Sequence, residues 1–197
     1  MINFFQILKE ATHDVHKEIE LCIPVLRPDL QIDELRSHLR RVFGFYQPLE
    51  NKISIFIDQH GDEFEMKRRY KSSLLVNDLI GWGDSRESIH SIHTHSELND
   101  ISSLTDLVAT LYVLEGSTLG NQIICRALSK NLNVSAFQMS FYEGYGADTY
   151  SRWRSFKAQA ETHTESLDID LAIKKSREIF QQFTIWLKGN QIPDLAK

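Results

Sequence analysis

Two separated segments carry side chains that could do chemistry together, LKEATHDVHKEIE at 8–20 and LYVLEGSTLGNQII at 111–124. The first sets histidines, lysines and glutamates along one helical stretch, groups suited to ligating a metal and pairing with an anion. The second sets Gly116 and Gly120 four apart inside what otherwise reads as one long helix. Each glycine there costs about 1 kcal/mol relative to alanine. Such positions mark a kink or a close approach of backbone to another group. The pair of segments points to a flat ligand gripped between two helices.

At about 100° per residue, with Leu8 as zero, the apolar arc of the first helix runs from roughly −40° to about +60°. His16 falls near +80°, at the edge of that arc, with Lys9 near +100° and His13 further round at about +140°. His16 is therefore the histidine beside the core. It reads either as a hydrogen-bonded structural residue or as a neutral imidazole ligating an iron from one face, with Lys9 reaching a carboxylate at the ligand's rim. For Gly116 and Gly120 the alternatives are close helix–helix packing, or a planar macrocycle lying against bare backbone with space for O2 and an ordered water. Ser117 would offer its hydroxyl to a water network in the second case.

The elements that must position these residues follow from periodicity. Phe5, Leu8, Thr12, Val15, Ile19 and Cys22 recur at three and four, and the pattern stops before Pro24 and Pro28. Leu35, Leu39, Val42, Tyr46, Leu49, Ile53 and Phe56 do the same, with a bend expected near Gly44 and Pro48. Further helices are expected over 63–80, over 104–130, and near 135–161 and 167–188, with a polar loop and one short helix at 84–101. No strand alternation is evident. The expectation is an all-α multi-helix bundle forming a single domain over 1–197, without repeats or a linker.

Composition narrows the setting. The chain has 197 residues, enough for a substantial core, with 42% hydrophobic and 25% charged residues and a net charge of −5. That charge gives no pull toward nucleic acid or anionic membrane. The N-terminus meets charge too early for a secretory signal, and no apolar run approaches the roughly 18 residues of a membrane span. A cytoplasmic, monomeric protein is expected. Cys22 and Cys125 are the two cysteines, without CxxC spacing, and read as small hydrophobes.

Three other constellations compete. Glu10-x-x-His13 and Glu87-x-x-His90 match the spacing of di-iron bundles, but Glu10 lies far from the apolar arc and Glu87 in a polar stretch. His90, His93 and His95 could bind a metal, yet they lack a regular scaffold and read as a solvated loop. Lys67, Arg68, Arg69 and Lys71 read as a solvated helix face.

The chain resembles the heme oxygenases, particularly the short bacterial kind. LKEATHDVHKEIE resembles the family's proximal segment, EGSTLGNQ its distal motif, and FYEGYGADTYSRWRSFKAQAE at 141–161 a later segment. The resemblance implies a heme oxygenase-like bundle with the ligand between the first helix and a long kinked distal helix. It implies His16 as the heme-iron ligand, Lys9 and Arg154 as propionate partners, and Glu20 as a carboxylate accompanying the histidine. Gly116, Ser117 and Gly120 become the distal catalytic segment. The implied activity is oxidative cleavage of heme b, at once substrate and cofactor, to biliverdin, CO and iron. O2 and an external electron donor, a ferredoxin or flavin reductase, are then required, because no dinucleotide or flavin fingerprint is present. Two positions depart from the family pattern: Ser117 stands where animal enzymes carry an aspartate, and Asn121 where a third glycine is common. Asn121 motivates the alternative of a heme storage or delivery protein of the same fold.

Overall fold

The computed structural model describes residues 4–132 and 139–189, and every regular element among them is helical. In chain order the helices are α1 (Phe4–Ala11), α2 (His13–Glu20), α3 (Ile32–His60), α4 (Ser72–Gly81), α5 (Arg86–His90), α6 (Leu104–Ser117), α7 (Asn121–Leu132), α8 (Ser140–Glu143), α9 (Thr149–Glu161) and α10 (Ile169–Lys188). No helix among the described residues is long and apolar enough to cross a membrane.

The expected first helix is two, separated at Thr12. The backbone bonds continue through it, Thr12 N to Leu8 O at 3.0 Å and His16 N to Thr12 O at 2.9 Å. The Thr12 hydroxyl donates to the same Leu8 carbonyl at 2.7 Å, a back-bond that bends helices. Leu8, Val15 and Ile19 are buried, as the apolar arc requires.

α3 passes through Pro48 for 29 residues. Proline has no N–H to give the carbonyl of Gly44, and the structure supplies a substitute: His95 N donates to Gly44 O at 2.9 Å. The loop comes this close because residue 44 lacks a side chain. A Cβ there would sit 2.5 Å from His93 O and 2.9 Å from Trp186 Cζ2. His93 and His95 both stack on Trp186, with ring centroids 5.6 and 5.1 Å away. His90 and His93 are exposed, as the solvated-loop reading expects, while His95 is partly buried against Trp186 and Phe45.

Two expected helices are shorter than the periodicity suggested. In 63–80 only Ser72–Gly81 is α-helical, preceded by a 3₁₀ turn at Met66–Arg68. Glu65 has φ 51°, and Asp62 accepts from Met66 N at 2.5 Å, so the chain turns there. The start of α4 is capped from another helix: Glu50 of α3 accepts from Lys71 N at 2.5 Å and from Ser72 N at 3.1 Å. In the expected 135–161 helix, Gly144 and Gly146 at φ 51° and 54° separate α8 from α9; positions 135–138 lie outside the described residues. Two expectations hold closely: α5 is the short helix of the polar loop, and α10 begins where Asp168 accepts from Leu171 N at 3.0 Å.

Relative helix directions follow from cross-contacts. Asp168 N donates to Thr105 Oγ1, and Ser176 Oγ to Ala109 O, so α6 and α10 run in the same sense. Arg177 meets Ala11 O and Asp14 while Phe180 meets His16, so α2 runs with them. α3 runs oppositely, Phe45 stacking on Phe183 and Arg41 bonding Leu187 O. The C-terminal halves of α2, α6 and α10 therefore converge beside the middle of α3.

Two predictions follow from this packing. Gly44→Ala should cost about 1–3 kcal/mol through overpacking, read as a lower denaturation midpoint at unchanged m-value. His38, whose Nε2 lies 3.1 Å from Tyr142 OH, is held at a pKa of about 4 by burial, with Arg41 adding to the effect. Its folded pKa is below the unfolded value, so this contribution is full above pH ~6.5 and lost as pH falls toward ~4, by roughly 3 kcal/mol. The difference between wild type and His38→Gln, measured by denaturation from pH 7 to 4, should shrink by about that amount; a constant difference would refute it.

Candidate functional site

His16 projects from the α2 margin with its side chain 49% exposed. Its ring meets Phe180 edge to face at 5.5 Å, and its Nδ1 lies 3.4 Å from Glu20 Oε1, one turn further on. A carboxylate on one ring nitrogen favours the tautomer that leaves the other free to ligate. His13, further round the helix as expected, is exposed.

The distal segment is a broken helix. α6 ends at Ser117, a 3₁₀ turn covers Thr118–Gly120, and α7 continues from Asn121. Thr118 Oγ1 donates to Glu115 O at 2.6 Å, which tightens the break. The glycines are not there for helix packing. A Cβ on Gly116 would touch only the edge of Trp153, at 3.9 Å, and one on Gly120 would meet nothing within 4 Å. Backbone that has paid for two glycines and presents them to open space fits a ligand approaching that face.

Ser117 is held from two sides, donating to Leu114 O at 2.8 Å with Tyr46 OH 3.2 Å from its Oγ. Burial pushes the Tyr46 phenol well above its ordinary range, so it stays protonated. Tyr46 in turn packs against Phe141 and Phe183. Tyr112 sits one turn before Gly116, its hydroxyl 3.2 Å from Thr12 Oγ1, which ties the distal helix to the helix pair bearing His16. Sequence reasoning took Tyr46 as one position of an apolar stripe and did not single out Tyr112, although a tyrosine among apolar residues carries a hydroxyl that needs a partner.

Asn121 is buried and its Nδ2 donates to Phe141 O at 3.4 Å, so its side chain turns toward α8. Lys9 and Arg154 are both exposed, on α1 and α9. Those elements meet where Phe5 packs on Trp153 at 6.1 Å, and Lys157 Nζ lies 5.6 Å from the Trp153 ring. The structure thus brings His16 to Glu20, and Ser117 to Tyr46. It sets Lys9 and Arg154 on neighbouring elements without joining them to the other site residues among those described.

Behind Gly116 lies a cluster the sequence reading missed. Glu115 is 2% exposed and accepts from Arg69 Nη1 at 2.8 Å and from Tyr145 OH at 2.8 and 3.1 Å, with Lys71 Nζ 3.5 Å away. Lys71 Nζ also donates to Tyr145 OH at 2.5 Å. Arg69 and Lys71 are therefore buried ion partners; only Lys67 and Arg68 of that basic run face solvent. The di-iron spacings lead nowhere: Glu10, His13, Glu87 and His90 are exposed, and no metal-holding group of three or more His, Cys, Asp or Glu exists among the described residues. A surface cavity of about 260 Å³, lined by residues that include His60, Glu63 and Ser103, lies at the opposite end of α6 from Gly116.

The molecule is an all-helical bundle with a half-exposed histidine on one helix and an open glycine face on a broken helix. A family model described as heme oxygenase matches residues 2–189, and the chain belongs to the heme oxygenase family. The fold is similar to that of heme oxygenase from Leptospira interrogans, at TM-score 0.71 and 19% identity over 94% of this chain and 98% of that one. It is also similar to heme oxygenase-1 from the cyanobacterium Synechocystis sp. PCC6803, solved in complex with heme, at TM-score 0.73 and 15% identity over 95% of this chain and 91% of that one. A search of curated protein sequences finds no match.

Glu115→Ala would strand Arg69 and Lys71 without their carboxylate. The expected cost is about 3–5 kcal/mol, measured by urea denaturation.

Proposed function

We propose that this chain is a heme oxygenase in activity, a single domain over 1–197 that cleaves heme b to biliverdin, CO and iron in the cytoplasm. The observation that carries the reading is the open face of Gly116 and Gly120 on the broken helix. His16, half exposed with Glu20 on its Nδ1 side, complements it.

In this reading His16 would ligate the heme iron, and Glu20, on the Nδ1 side of the ring, would orient the imidazole. Gly116 and Gly120 let the macrocycle lie against backbone and leave room for O2. Ser117, braced by Tyr46, supplies a hydroxyl for distal water and proton delivery. Lys9 and Arg154 pair with the propionates at the rim, where their exposure lets them meet a charged, solvated group. Heme supplies the redox chemistry, and the protein supplies orientation, sterics and protons. Electrons come from an external ferredoxin or flavin reductase, and the protein acts as a monomer. Asn121 turns toward Phe141 O, so it does not argue for the storage or delivery alternative.

The test is to titrate purified protein with hemin, add ascorbate or a reductase system under air, and identify the product chromatographically. A Soret band that decays into biliverdin supports the reading; a band that persists with a competent reductase favours storage or delivery. His16→Ala should lose both the wild-type spectrum and turnover, and Gly120→Leu should bind heme poorly or block O2. A His16→Ala protein with wild-type spectrum and activity would falsify the ligand assignment.

A further inference from the structure

Glu115 immediately precedes the bare Gly116, yet its carboxylate points the other way, into the buried cluster of Arg69, Lys71 and Tyr145. Two features make this more than a stability device. First, Glu115 joins the cluster to the break itself, since its carbonyl accepts the Thr118 hydroxyl at the start of the 3₁₀ turn. Second, Glu115 is the carboxylate with which both buried cations pair: Arg69 and Lys71 meet it at 2.8 and 3.5 Å, whereas the neighbouring Glu50 accepts from the Lys71 and Ser72 N–H groups and the Ser72 hydroxyl, and all four charged residues are nearly inaccessible to water. Loss of one negative charge there would leave a positive charge directly behind the face on which heme would lie.

We propose that Glu115 is a positioning residue of the distal segment, fixing the turn at Thr118–Gly120 and the electrostatic potential on the face left bare by Gly116 and Gly120. The proposal rests on the heme-site reading above. The cluster would set how strongly an oxygen ligand on the heme is held as the anion, and how firmly the distal backbone is placed against the ring. A unit charge acting across roughly 12 Å at an effective dielectric of about 20 moves a titration by about one unit. That magnitude is within reach of a spectroscopic titration.

The experiment compares wild type, Glu115→Gln and Asp84→Asn. Asp84 is a control: it too is a buried carboxylate between two arginines, Arg36 and Arg40, on the N-terminal part of α3. Each protein is loaded with hemin, and the acid–alkaline Soret transition of the ferric complex is followed against pH. Glu115→Gln is expected to lower its midpoint by several tenths of a unit to about one unit, because the uncompensated cation favours hydroxide over water on the iron; Asp84→Asn should leave it in place. Amide hydrogen exchange on the heme-free proteins supplies the second readout, with faster exchange expected at 118–124 than in α10 for Glu115→Gln. An unchanged midpoint with uniform acceleration, or an equal shift in Asp84→Asn, would overturn the proposal in favour of a merely structural role. Absence of any Soret band in wild type would instead sink the heme-site reading, and the electrostatic half of the proposal with it.

Discussion

A carboxylate taken out of water must find cations and donors, and in this fold that demand at Glu115 organises everything around the distal helix. An isolated buried charge would cost several kcal/mol, so Arg69, Lys71 and Tyr145 are drawn inward from two separate loops. Drawing them in fixes where residues 64–72 and 144–146 run. Tyr145 serves both sides, donating to Glu115 and accepting from Lys71. Burial, more than the neighbouring carboxylate, holds its phenol above the ordinary range, so it remains a donor.

The same device recurs in weaker form. Glu50 accepts the N–H groups that open α4, and Asp78 accepts from Ser140 N at 2.7 Å and Phe141 N at 2.9 Å to open α8. These two helix starts are capped by an acid from another helix, whereas α5, α6 and α10 are capped by their own preceding Ser85, Ser103 and Asp168. These acids convert helix termini into tertiary contacts, so short helices too weak to form alone exist because of what they dock against. Burial raises both carboxyl groups above their usual range, opposed by the backbone bonds they accept. Backbone donors, not cations, provide most of their compensation.

This explains what the sequence disclosed and what it hid. The apolar periods of α2, α3, α6 and α10 were legible because burial imposes them locally, residue by residue. His16 and the glycine pair were legible because each breaks a local rule: an ionisable group at a core margin, and helix-weakening residues inside a helix. The start of α4 was not legible, since its cap is Glu50, more than twenty positions away. Nor was the burial of Arg69 and Lys71, because a basic run next to polar residues has the same local appearance whether it faces water or a buried acid. Pro48 illustrates a middle case: the sequence announces a missing hydrogen bond at Gly44, but only the fold shows that His95 takes it.

The distal segment has two faces under opposite constraints, and the proposed function depends on keeping them apart. One face is bare, as the proposed planar ligand would require; Gly116 and Gly120 leave it so and weaken the helix in doing so. The other must be held hard, because a helix weakened by two glycines and a 3₁₀ turn would otherwise drift. Glu115, Thr118 and Asn121 all bond away from the bare face, to the buried cations, the preceding turn and the Phe141 carbonyl. Asn121, where the family commonly has glycine, fits this division: a side chain turned toward α8 adds an anchor without filling the space over Gly120. Ser117 sits between the two regimes, exposed yet tethered to Tyr46, which is where a hydroxyl must be if it is to serve a ligand from a fixed position.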